Sequence, residues 1–437
     1  MKTKFLFLIA LICLALYGCE DSETTDVLEL SQTSFPNVNG DGETLAVDVT
    51  SSGDWTVTNT LSWCKVTPGK GSGDGKLTLQ IDANLNEKER TGILTIALAS
   101  SGLSRTIQIT QEAGTIEPEN YHYKLPVIFH VLYKDQTDPL QHVKASRLEE
   151  ILQVANSLFR KSDESVDMNL TFELATTDPE GNPMETPGVE YIEWPGDYPI
   201  DCDKFMADTI NNYVKYIWEP NRYLNVMMYN FDSNDPNYVT LGISHLPFST
   251  KGSTFLEGLN PVNISHITKE NLQFPYCVSI NSLYINSQSI GSDYIPSDIT
   301  VTLAHELGHY LGLHHVFSEV EEDGILIGCE DTDYCKDTPS YNKQEYDDYY
   351  RYLATQDHEN YKFSVLVKRI DCSGNTFQSH NIMDYAVSYS NQFTNDQRAR
   401  IRHVLNYSPL IPGPKIGAAS TRTAVEGVLD LPIRVIK

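Results

Sequence analysis

The chain has 437 residues, too many for one ordinary domain and enough for two or three. Hydrophobic residues make up 40% of it, which supports buried cores and excludes global disorder. A formal charge of −27 argues against a nucleic-acid partner, because a phosphate backbone is bound by Lys and Arg, and it suits a solvated extracytoplasmic surface whose clustered carboxylates can take hard cations.

The N-terminus reads as a targeting segment. Lys2 and Lys4 precede an apolar run, Phe5 to Leu16, that is short for a bilayer span. It ends in Leu16-Tyr17-Gly18-Cys19, which resembles the lipobox of bacterial lipoproteins. The resemblance implies cleavage after residue 18, diacylglycerol on Cys19 and anchoring in a membrane by that lipid. Acidic residues directly after the cysteine (Glu20, Asp21, Glu23) resemble the surface-export signal of Bacteroidetes lipoproteins, which implies an outer-membrane, surface-exposed protein. The other reading is a plain secretory signal with an incidental cysteine. Residues 19–27 are polar and read as a tether.

From Leu28 to about residue 112, short alternating runs are separated by Gly, Asn, Asp and Ser clusters, the pattern of a small all-β sandwich. Gly53-Asp54-Trp55, Trp63-Cys64-Lys65-Val66-Thr67-Pro68, Glu89-Arg90-Thr91-Gly92 and Ile109-Thr110-Gln111 make this segment similar to the BACON family. The resemblance implies an Ig-like sandwich, with glycan or mucin binding as one role and a spacer as the other. Trp55 and Trp63 read as core residues before sugar platforms. Residues 113–122 read as a linker.

Beyond the linker the order is α/β. Leu125–Tyr133 is a buried strand, Lys144–Lys161 a helix, Met168–Leu174 a strand and Met206–Trp218 a helix. Tyr223–Asn230, Tyr238–Pro247 and Ser282–Ile285 are further strand candidates, and Thr302–Leu313 is a helix. This domain runs over residues 123–408. The Pro- and Gly-rich stretch 409–437 is a tail or a small cap.

Residues 305–315 read His-Glu-Leu-Gly-His-Tyr-Leu-Gly-Leu-His-His. His305 and His309, four apart on a helix, project from one face and can both reach one zinc ion. Gly312 can take the left-handed conformation that ends a helix, so that the chain turns and His315 returns as a third ligand. Three neutral imidazoles leave one position open for water or substrate, as a catalytic zinc requires, and Glu306 is placed to act as general base. His314 is outside the spacing. Asn381-Ile382-Met383-Asp384-Tyr385 then offers a methionine in a tight turn, an apolar floor for the imidazoles. Thr394 and Gln397 have the spacing of a capping box for a following helix.

With Pro126–Leu132, Leu224-Asn225-Val226, Gly242–Pro247 and Asp337-Thr338-Pro339, these motifs make residues 123–408 similar to the pappalysin family of metzincins. The resemblance implies a zinc endopeptidase acting on protein or peptide, with His305, His309 and His315 on the metal, Glu306 as base and Tyr385 as oxyanion stabiliser. It also implies structural calcium. Residues 319–348 hold eleven carboxylates against two lysines and are the candidate calcium loop, or a solvated acidic loop. By analogy with the family, Cys329 pairs with Cys372; Cys202 with Cys277 is a second candidate pair. Cys64 reads as a core thiol before a latency switch. The rival to an enzyme is a surface adhesin with a vestigial protease domain, and the intact Glu306 argues against it.

Overall fold

The computed structural model describes residues 26–232, 239–290, 294–322, 325–326, 328–385, 387–417 and 425–437. The leader 1–18, the lipidation candidate Cys19 and most of the tether lie outside the described residues.

The N-terminal segment is a two-sheet β-sandwich. One sheet has four strands and the other five, the long hairpin Arg90–Leu98 with Ser104–Gln111 anchoring the second. Along Glu43–Ser51, Gly75–Ile81 and Arg90–Leu98, buried and exposed side chains alternate, so each sheet turns one apolar face inward. Trp55 and Trp63 are 2% and 3% exposed and belong to that core, with the Arg90 guanidinium stacked over the Trp63 ring. Cys64 lies there too as a free thiol, which burial pushes up to about 12.

The second domain is built on a mixed sheet. Its strands are β1 (Tyr123–Tyr133), β2 (Leu170–Leu174), β3 (Val189–Glu193), β4 (Leu224–Tyr229), β5 (Gly242–His245), β6 (Val278–Asn281) and β7 (Val435–Ile436). The order is β2-β1-β4-β6-β5-β7, and β3 continues the β2 edge along β1. β1 to β4 and β6 are parallel; β5 is antiparallel to β6. β1 and β4 are buried over nearly their whole length, as parallel strands covered on both faces must be. Helix α1 (Ala145–Leu158) and α3 (Ile299–Tyr310) pack together, and α3 also lies against β5 and β6.

Several boundaries moved for identifiable reasons. The helix expected over 206–218 is instead a short α2 (Cys202–Met206), capped by the Asp201 side chain, followed by a 3-10 turn at Tyr213–Tyr216. The Asp208 carboxylate takes the Asn211 amide, and Asn212 sits at φ 56°, so the backbone cannot continue as a helix. The strand expected at 282–285 lies four residues earlier, in β6; Asn281 caps a 3-10 turn over Ser282–Tyr284. Cys202 and Cys277 are not bonded to each other. Both are buried free thiols, and the Cys277 sulfur rests 3.6 Å from the Met206 sulfur. The pair Cys329–Cys372 is a disulfide, with Cα atoms 5.4 Å apart. The stretch after Pro409 is held to the domain: Leu410 and Ile411 are buried, the Tyr123 hydroxyl donates to Asn406 and Pro414, and β7 joins the sheet.

Candidate metal centre

Helix α3 begins where the Asp298 carboxylate accepts from the amides of Thr300 and Val301, three residues before the expected start. It is buried almost all round. It ends at Tyr310, and Gly312 at φ 93° reverses the chain; a Cβ there would lie 2.7 Å from Val404. The turn brings His315 back beside His305 and His309.

In each imidazole, Nδ1 faces an acceptor. His305 donates to the Ile382 carbonyl at 2.7 Å, His309 to the Leu313 carbonyl at 2.8 Å and His315 to Glu319 Oε1 at 2.6 Å. The proton is thereby fixed on Nδ1 and the Nε2 lone pair left free in all three. These lone pairs converge: Nε2 of His309 is 2.9 Å from that of His305 and 3.1 Å from that of His315. Three acceptors cannot hydrogen-bond one another, so the arrangement fits a cation. Tetrahedral zinc with bonds of about 2.0–2.1 Å would set such nitrogens roughly 3.3 Å apart. Burial, and secondarily the His315 imidazole, brings His305 down to about 3; burial and both partner rings hold His309 well below its ordinary value. The triad is the one group of three or more His, Cys, Asp or Glu close enough for a shared ion among the described residues.

Glu306 is 2% exposed and its Oε2 has no hydrogen-bond partner. Burial pushes its carboxyl well above the usual range. It lies against Gly242 of β5, where an added Cβ would come within 2.5 Å of its Cγ. Glu306, His305 and Tyr385 line a cleft of about 1310 Å³.

Met383 is fully buried beneath α3; a Cβ on Gly308 would meet its sulfur at 2.6 Å. Its turn is tied to helix α4 (Asn395–Tyr407) by a reciprocal amide pair between Asn381 and Gln397, and the capping box of Thr394 and Gln397 is formed. Tyr385 follows, its ring edge-on to His315 at 4.4 Å. Its backbone is clamped: the amide donates to Asp384, and Arg369 donates to its carbonyl. Asp384 and Arg369 form a buried ion pair, and the Tyr341 hydroxyl and Ser379 also donate to Asp384.

Sequence reading assigned no individual role to Glu319, Gly242, the Arg369–Asp384 pair or Lys437, the last of which also lines the cleft. Glu319 was hidden in the acidic loop. Burial acts to raise its carboxyl, but hydrogen bonds with His314 and His315 outweigh that and hold it at about 2. His314 is outside the triad, as its spacing indicates. Other carboxylates of the loop are engaged by protein groups: Asp333 by Thr338, Asp347 by Lys343 and Asp348 by Arg351.

The second domain is thus an α/β fold with three converging imidazoles that could share one metal ion. Residues 275–406 match the M43 peptidase family model described as pregnancy-associated plasma protein-A, and residues 27–114 match that of the viral BACON domain. The chain is thus similar to the pappalysin-like M43 peptidases over residues 275–406 and to the BACON domain over residues 27–114. Extracellular metalloproteases of Arthroderma otae and Arthroderma benhamiae are each 38% identical to it, over 102 and 103 residues, which is 23% of this chain. The chain thus spans 29% of the length of those relatives. Among solved structures, mature mirolysin of Tannerella forsythia in complex with a cleaved peptide aligns at 22% identity. It covers 64% of this chain and 91% of its own, at a TM-score of 0.42. A promirolysin mutant of the same organism aligns at 20% identity, covering 65% and 81%, at 0.40.

Proposed function

We propose that this protein is a zinc-dependent endopeptidase, with His305, His309 and His315 as metal ligands. The observation that carries the reading is the convergence of three Nε2 lone pairs beside a buried, unpartnered glutamate oxygen. Zinc held there supplies Lewis acidity, polarising a carbonyl and acidifying water. Glu306 accepts the proton from the attacking water and passes it to the leaving amine. Glu319 and the carbonyls of Ile382 and Leu313 keep the imidazoles in one tautomer. The Tyr385 hydroxyl stabilises the oxyanion by hydrogen bonding. The test is cleavage of a broad peptide library by the purified, zinc-loaded chain; folded material that cuts nothing, and behaves there like Glu306→Ala, would refute it.

The reading extends to an exported enzyme anchored by lipid on Cys19. No helix among the described residues is long and apolar enough to cross a membrane. The lipid anchor is supported by the Leu16-Tyr17-Gly18-Cys19 stretch of the sequence. Labelling of the wild type, but not of Cys19→Ala, by a fatty-acid analogue tests it. The buried Trp55 and Trp63 favour the spacer role for the N-terminal domain over sugar stacking. Structural calcium in the 319–348 loop is tested by a calcium-selective chelator, which should lower the melting temperature without removing zinc.

A further inference from the structure

Strand β7 lies in the approach to the metal centre. It pairs antiparallel with β5, Val435 opposite His245 and Ile436 opposite Ser244, and the Leu246 amide donates to the Arg434 carbonyl at 3.0 Å. The segment therefore runs toward Gly242, the residue against which Glu306 packs. At Lys437 the backbone carbonyl accepts a hydrogen bond from the Tyr385 hydroxyl. Lys437 lines the same cleft as His305 and Glu306. Its ammonium extends to Asp203 of α2, with Nζ 2.7 Å from Oδ2.

An extended strand whose carbonyl is held by the oxyanion-stabilising hydroxyl has the pose of a peptide on the amino side of a cleaved bond. Lys437 then stands for the residue that contributes the scissile carbonyl. We infer that Asp203 is a specificity-determining residue that selects a basic side chain at that position, and that residues 434–437 occupy the groove as a built-in ligand of it. This rests on the peptidase reading. Substrate must displace these residues, so they compete with it. The Asp203–Lys437 pair is half exposed on both sides, which limits its effect to about fivefold.

The test has two arms on the full chain. In the first, hydrogen exchange is followed at the Leu246 amide, which β7 protects. Asp203→Lys and Lys437→Glu should each speed it by about two- to fivefold, and the double variant should restore protection. A double variant that exchanges as fast as the single ones overturns the inference. In the second, peptides varying only at the residue before the cut are compared. The wild type should favour Lys and Arg, and Asp203→Lys should lower kcat/KM for Lys by about fivefold and raise it for Glu. Cleavage with no preference for a basic residue, or a preference that Asp203→Lys leaves intact, also overturns it. A chain that cuts no peptide counts against the peptidase reading, while the exchange arm still decides whether Asp203 selects the charge laid beside it.

Discussion

Glu306 and the glycine beside it make the most direct tests at the scale of single residues. If Glu306 is the general base proposed above, Glu306→Ala should lower kcat by about 100-fold or more while zinc content by elemental analysis stays at wild-type level. Gly242→Val acts on the same carboxylate from outside. A side chain at residue 242 would overlap Glu306 Cγ, Cδ and Oε1, all within 2.7 Å of its Cβ, and must displace it. Turnover should drop about tenfold or more at unchanged zinc content; a fully active Gly242→Val would mean that Glu306 need not sit where it does. Arg369 supports the opposite wall. Its guanidinium and the Asp384 carboxylate are both fully buried, so Arg369→Ala strands a charge and should cost about 3–5 kcal/mol in a denaturant titration.

At the scale of elements, β5 carries a pH sensitivity of its own. His245 is buried, accepting at Nδ1 from the Cys277 amide and donating from Nε2 to the Met206 carbonyl. Burial lowers it from 6.5 to about 4. The unfolded chain therefore binds this proton between pH 6.5 and 4 while the folded one does not, and stability falls as the pH drops through that window. The loss from pH 7 to pH 5 should be about 2 kcal/mol by urea unfolding, and a His245→Gln variant should show a flatter dependence. The Cys329–Cys372 bridge closes a separation of 43 residues, so reduction or Cys329→Ser should destabilise the fold by about 2–4 kcal/mol.

The whole molecule has two cores joined by a seam. Ala83 and Leu85 of the sandwich belong to the large cluster of the second domain, Lys65 reaches Thr177, and Asn86 accepts from the Gly417 amide. Residues 115–437 alone would expose that seam. Their melting temperature by calorimetry should be lower by roughly 2–4 °C for each kcal/mol that the seam contributes. Peptide cleavage should persist, because every residue of the triad and its supports belongs to the second domain. Loss of cleavage on removing the sandwich, at full zinc content, would instead assign that domain a part in catalysis.

What the sequence determined by itself was the part that depends on short-range geometry. Alternation and turn residues marked the sandwich, since a strand's two faces are written in a period of two. The spacing of His305, His309, Gly312 and His315 specified the triad because a helix and one left-handed turn fix those positions within a single stretch of chain. The ring of Tyr385 stands edge-on to His315, and Thr394 with Gln397 caps its helix. Tertiary structure alone decided whatever needed a partner distant in the chain. Asp208 and Asn212 ended a helix that periodicity would have continued, and apolar packing left Cys202 and Cys277 as separate thiols. Glu319 became a half-buried partner of two imidazoles, and residues 434–437 came to lie against β5, far away in the chain. Hydrogen bonding across a sheet and burial of a charge are properties of what folds alongside a residue, and its sequence neighbours do not state them.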